Sequence, residues 1–205
     1  KINDKSFDFG SIMVPVQNQN LNPNEIHKLL SEVSIGSELN IYETNTGVSQ
    51  QGIDLGSRNF KTIKKPKIGL LVGDGVRSYD AGEIWYLMDT QYNIPITKID
   101  NRILEKLDLA KYTHFIFPSY NGYLSDVVIK KIKSWVEKGG TLILYRDAIT
   151  WAKENELIEI QVVKNQLIAE KVNFINRNNF KKAQSISGAI FKANLDRTHP
   201  INFGI

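Results

Sequence analysis

The chain has 205 residues, 41% of them hydrophobic and 10% aromatic, which suits one α/β domain with or without a smaller unit and excludes intrinsic disorder. Its formal net charge is +4, but the basic residues lie in short scattered clusters such as Lys64, Lys65 and Lys67, so the excess reads as solvated surface rather than a nucleic-acid footprint. The absence of cysteine excludes disulfides, thiolate metal sites and a cysteine nucleophile within these residues, and no apolar run has the length of a membrane helix.

Residues 1–10 are polar and lack the apolar core of a signal peptide. Because the chain begins at Lys1 and stops at Ile205 just after a turn, it is expected to be an excised or processed piece of a longer protein. Residues 11–16 (SIMVPV) read as a short strand, with Pro15 marking an edge or an end. Asn22 and Pro23 open a helix over 24–34, in which Ile26, Leu29, Leu30 and Val33 recur at helical spacing and are expected to face a sheet. Gly36 is the expected stop, and 40–44 (NIYET) returns as a strand. The pattern is a βαβ lead-in at 11–45 with a right-handed crossover. Residues 46–66 show no period and are rich in Gly, Ser, Gln and Asn, as a long surface connection would be. Residues 1–62 are therefore expected to be lead-in and connecting loop, and 63–205 the main domain.

From Lys67 the alternation is regular. Residues 67–72 (KIGLLV) form a continuous apolar strand of the kind buried on both faces of a parallel sheet. A Gly73–Asp74–Gly75 turn leads to a helix over 78–92 carrying Ile84, Trp85, Leu87, Met88 and Tyr92, and 96–99 is the next strand. A short helix or turn over 102–109 precedes a strand at 114–118. Ser125 is placed to cap a helix whose Val128, Ile132, Trp135 and Val136 face the sheet while Lys130, Lys131, Lys133 and Glu137 face water. Gly139 and Gly140 stop it, and 141–145 (TLILY) is a buried strand turning sharply into a helix near Ala148. This succession predicts an α/β doubly wound parallel sheet, flavodoxin-like or class I glutamine-amidotransferase-like, with ligands at the carboxyl ends of its strands. Beyond residue 156, strand-like content recurs at 157–163, 166–172 and 189–195.

Five runs, TGVSQQGIDLGSRNF (46–60), KIGLLVGDGVRSYDAGEIWYLMD (67–89), HFIFPSYNGYLSD (114–126), WVEKGGTLIL (135–144) and GAIFKANLDRTHPINFG (188–204), together resemble the C-terminal region of zinc-carboxypeptidase-like proteins of Bacteroidetes-type bacteria. That region contains a class I glutamine-amidotransferase-like domain. The resemblance implies a periplasmic or secreted parent protein whose zinc peptidase domain lies upstream and is this chain's partner, with the zinc held there and no cofactor here. It also implies a non-catalytic accessory role, supporting the peptidase or binding peptide or glycan. A metallocarboxypeptidase holds zinc with a His-x-x-Glu pair and a distant His. None of His27, His114 and His199 has a Glu at that spacing, so no metal site is assigned. By the same resemblance Asp147 stands where an amidotransferase has its cysteine, Ile201 stands where a His-x-Glu pair would have its acid, and Ser119, Tyr120, Asn121 and Gly122 lie where the oxyanion loop would be. No catalytic residue is assigned.

Several residues carry alternative roles. Asp147 reads as a helix cap, a binding residue or a carboxylate nucleophile. Asp74 and Gly75 lie in a turn that is either a plain βα connection or an anion cradle for a small ligand, although the fuller Gly-x-Gly-x-x-Gly pattern fails. Asp80 and Glu83 are one helical turn apart, placed to complement the helix dipole or to act as an acid–base or cation-binding pair. Tyr120 and Tyr123 flank Asn121 and are either an aromatic platform for sugar or peptide, or packed core.

Overall fold

The computed structural model describes residues 1–37, 39–161, 172–184 and 190–203. The chain divides into two units, one comprising Lys1–Ile63 with Lys182–Ile205 and the other Lys64–Lys181. The stretch from Lys182 onward, expected within the sheet domain, thus groups with the N-terminal unit.

In the first unit the one long element is α1 (Pro23–Ser37). Its start is a reciprocal capping box: the Glu25 backbone N–H donates to Asn22 Oδ1 at 3.0 Å, and the Asn22 N–H donates to Glu25 Oε2 at 2.9 Å. The helix continues through Gly36, which does not adopt the positive φ of a terminating glycine. Only Ile26 of the expected apolar face is buried; Leu29 and Val33 are exposed. The strands expected at 11–16 and 40–44 do not form, so the lead-in is a helix without its flanking strands. Their apolar, β-branched content records suitability for a pleated surface, whereas a strand also needs a partner edge. The irregular connection over 46–66 turns back on the first residues, with Gln50 N–H donating to Lys1 O at 2.8 Å.

The second unit contains a four-stranded, all-parallel sheet in the order β2-β1-β3-β4, with β1 at Ile68–Val72, β2 at Ile96–Asp100, β3 at His114–Phe117 and β4 at Thr141–Leu144. Ile68 is in register with both Ile96 and His114, and His114 with Thr141. This is the doubly wound, flavodoxin-like α/β fold. Between the strands run α2 (Ser78–Trp85) and α3 (Asp126–Glu137), and α4 (Asp147–Glu154) follows β4. The short α5 (Arg177–Ala183) comes later.

The alternation of side chains sorts the two faces. Leu71, Ile99, Phe115 and Phe117 pack with Val128, Ile132 and Trp135 of α3 and with Ala148, Trp151 and Ala152 of α4. Ile68, Leu70 and Ile116 pack on the other face with Ala81 and the half-buried Ile84 of α2. Both faces are thus covered by helices, which is why these strands read as unbroken apolar runs.

Three local differences have clear causes. The helix expected over 78–92 changes at Tyr86 into a π-helical turn (Tyr86–Gln91), and the extra residue per turn leaves Leu87 and Tyr92 exposed while Ile84 and Met88 stay half-buried. On α3, Lys131 does not face open water: its ammonium donates to the carbonyls of Leu104 at 3.0 Å and Glu105 at 2.8 Å, whereas Val136 is exposed. Ser125 holds the N-cap position but its hydroxyl donates to Glu105 rather than taking a backbone N–H. Among the later strand expectations, 157–161 and 190–195 form no strand, and 162–171 and Ala189 lie outside the described residues.

Candidate functional site

Three loops meet at the carboxyl edge of the sheet, following β1, β3 and β4. The strand order reverses direction between β1 and β3, so this edge is the topological switch point at which such sheets bind ligands. The first two loops are stitched together. Arg77 N–H donates to Ser119 O at 3.0 Å, Asn121 N–H donates to Gly75 O at 3.1 Å, and Val76 and Tyr120 form an isolated antiparallel bridge. Such closeness needs glycine: at Gly75, whose φ is +77°, a Cβ would sit 2.5 Å from the Gly122 Cα. Asn101, just past β2, clips the same loop by donating to Asp74 O at 2.6 Å.

Tyr120 lies beneath these loops and is fully buried. Its ring packs edge-on to Phe117 and Trp151, with centroids 6.0 and 5.4 Å away. Burial pushes its hydroxyl pKa up, and the hydroxyl is buried without a hydrogen-bond partner among the described residues. Tyr120 is therefore core, and the platform with Tyr123 does not form, because Tyr123 alone is exposed. Asn121 and Asp74 are exposed, but the Asn121 N–H already serves Gly75, so it is not a free oxyanion donor. Beside the Gly73–Gly75 turn lies a cleft of about 280 Å³ lined in part by Val72, Val76, Trp85 and Lys98, with the Lys98 ammonium 4.3 Å from the Trp85 ring centre.

The turn after β4 is the most unusual piece of backbone. Arg146 has φ +52° and ψ −119°, a conformation that glycine adopts readily and that costs another residue about 1–3 kcal/mol. It is held by Tyr145 N–H donating to Phe117 O, Ala148 N–H to Tyr145 O and Ile149 N–H to Arg146 O, at 3.0–3.1 Å. A strained strand-to-helix turn of this kind lifts one side chain above the sheet, as at the nucleophile elbow of α/β hydrolases. A strand through Tyr145 and a helix from Ala148 would centre that turn on Asp147. It is centred on Arg146, because β4 ends at Leu144 and Asp147 is already the first residue of α4.

Asp147 is accordingly not the cap. Its Oδ2 accepts the Ser119 hydroxyl at 2.7 Å instead of backbone amides. Ser119 is itself 3% exposed, so the bond ties α4 to the end of β3 from inside. Asp80 and Glu83 also separate. Asp80 is drawn in, its side chain 14% exposed, with Oδ1 3.6 Å from Arg146 Nη1 and 3.9 Å from Arg77 Nε. Its Oδ2 is buried without a hydrogen-bond partner, while Glu83 is exposed. They are not an acid–base pair in one environment.

Within Lys64–Lys181 no histidine lies at this edge. His114 begins β3 at the opposite, amino edge, where its Nδ1 is 2.8 Å from Thr113 Oγ1. His27 lies on α1, and His199 accepts the Ile201 N–H in a short turn of the other unit. Among the described residues no group of three or more His, Cys, Asp or Glu is placed to hold a metal ion, and no helix is long and apolar enough to cross a membrane. Arg146 and Arg77 are the site residues that sequence reasoning missed. The preference of Asp for a first helical turn would have put Asp147 inside α4 and Arg146 in the turn, and the i, i+3 spacing of Arg77 and Asp80 was visible.

Comparison with protein-family models, with characterised proteins and with solved structures finds no match to this chain.

Proposed function

We propose that Lys64–Lys181 is a non-catalytic, amidotransferase-like domain belonging to a zinc-carboxypeptidase-like protein, in which it supports the peptidase domain or presents its carboxyl edge to a peptide or glycan. The observation that carries the non-catalytic part is Arg146 at the centre of the strained turn. A guanidinium stays protonated and is no nucleophile at neutral pH. Asp147, next in the chain, accepts the Ser119 hydroxyl hydrogen bond, and His114, the histidine of the same unit, lies at the opposite edge of the sheet. On the same proposal the parent is periplasmic or secreted and its zinc is held upstream of these residues.

The test is paired. Bound zinc and C-terminal peptide hydrolysis are measured for this 205-residue chain and for the longest natural product of its gene. Zinc and cleavage in the longer protein alone is the expected result. Cleavage by the short chain overturns the accessory role, and absence of both from the longer protein overturns the peptidase parentage.

A further inference from the structure

We infer that Arg146 and Arg77 form a carboxylate-binding site at the carboxyl edge of the sheet, built to take a singly charged carboxylate carried on a small ligand or a chain end. This goes beyond the accessory role and does not depend on it.

The first ground is that both guanidiniums are only loosely paired. Both are more than half exposed, and their closest approaches to Asp80 are 3.6 and 3.9 Å. A charge-assisted hydrogen bond between such groups has a length of about 2.7–2.9 Å. Asp80 therefore orients the two arginines electrostatically while leaving their N–H forks free. Among the described residues neither side chain makes a hydrogen bond.

The second ground is the backbone. Position 146 requires a conformation that suits glycine, yet an arginine stands there. Its loose pairing with Asp80 is a poor structural reason for accepting that strain. An outlier of this kind points to use of the side chain it lifts.

Charge selects the ligand. Two guanidinium groups against Asp80 leave at most one positive charge in excess, and Asp147, next in the chain, reduces it further. So small an excess favours a monoanion over a phosphate dianion. The planar fork of arginine also matches a carboxylate through two parallel bonds. Each of the three elements entering the edge also carries an exposed tyrosine: Tyr79 at the start of α2, Tyr123 after β3 and Tyr145 after β4. Such rings suit the body of a peptide or a sugar. The shared chemistry is a carboxylate beside a flat or apolar surface, as in a peptide C-terminus or a uronate.

The experiment is thermal unfolding of the 205-residue chain at constant ionic strength, with N-acetyl-dialanine, its C-terminal amide, galacturonate, galactose and inorganic phosphate as probes. At about tenfold excess over Kd, a carboxylate probe is expected to raise Tm by roughly 4 °C. The amide and galactose are expected to leave it unchanged. A shift with the acid peptide alone identifies a chain end, and one with galacturonate alone identifies an acidic sugar; either supports the site. Arg146→Gly removes the backbone strain, so it is expected to keep or raise the basal Tm while abolishing the carboxylate shift. Arg77→Gln is expected to weaken binding about tenfold, the worth of one lost charged hydrogen bond. The site is overturned if no carboxylate shifts the wild-type chain, if the shift survives Arg146→Gly, or if phosphate stabilises more than either carboxylate.

Discussion

In Lys64–Lys181 the apolar residues form two continuous layers, one on each face of the sheet; among the described residues of Lys1–Ile63 only Ile2 and Ile26 are buried apolar side chains, while Phe7, Phe9, Ile12, Val48 and Ile63 are all exposed. Composition does not make the difference, since both stretches contain Phe, Ile, Val and Leu. Strand and helix alternate at short intervals from β1 onward, so each strand finds a parallel neighbour and each helix a covered face. In the N-terminal stretch a single helix is flanked by segments without partner edges, and its stripe has little to lie against. Burial thus follows from connectivity as much as from hydrophobicity.

The sharpest way to break this contrast is to remove one aromatic ring from each unit. Phe117→Ala deletes a fully buried ring in contact with Phe115, Tyr120 and Trp151, and is expected to cost about 3–5 kcal/mol in urea unfolding. Phe9→Ala removes an exposed ring stacked on Phe203 at 5.5 Å and should cost about 1 kcal/mol or less. Equal costs would mean that the first unit is as well packed as the second.

Glycine substitutions probe the same contrast at the backbone. Gly75→Ala meets both a positive φ and the Gly122 backbone, and a loss of about 2–4 kcal/mol is expected. Gly52→Ala, at φ +93° with no atom within 4 Å of the added Cβ, carries only the conformational cost of about 1–2 kcal/mol. Denaturation midpoints for the two variants decide whether the crossing of the loops is as tight as described.

Ser119→Ala leaves Asp147 without its hydroxyl donor and should destabilise the sheet unit by about 1–2 kcal/mol. Hydrogen exchange is expected to quicken at the start of α4 before it does at β1; uniform acceleration would argue that Ser119 matters only for packing.

The smallest effect concerns acid. Asp100, at the end of β2, is gripped by Arg102 through both guanidinium and backbone bonds, which lower its pKa from the ordinary 3.8 to about 2. Because the folded value is depressed, the stabilisation is present above about pH 3.8 and is lost as the pH falls through about 2. Carboxyl NMR titration should place Asp100 near 2 and return it to the ordinary range in Arg102→Gln. An unshifted Asp100 in the wild-type chain would show that the pair is open in solution.

The parallel sheet was legible because its strands are buried on both faces and carry a signal no surface element imitates. Runs such as IGLLV and HFIF have no polar alternation, and each is followed by turn residues and an amphipathic helix. The carboxyl edge as the place for a site was legible for the same reason, since connectivity dictates it. The side chains within that edge were not. Asp147 carried the right chemistry for a cap, but ending β4 one residue earlier moved the turn to Arg146 and made Asp147 helical. Tyr120 and Tyr123 have the same side chain three positions apart, and only packing against Trp151 separated core from surface.

What the amino-acid order determined by itself was local and periodic: the covered strands, the capping box of α1, the buried stripe of α3 and the glycine stops at 139 and 140. These depend on neighbours within one helical turn or one strand. Tertiary structure alone decided that residues 11–16 and 40–44 form no strand, that Asp80 lies between two arginines from different loops, and that Ser119 reaches Asp147 across the sheet edge. Asp80 with Arg146, and Ser119 with Asp147, are distant in the chain, and an ion pair or hydrogen bond between them exists only once the sheet has set their separation.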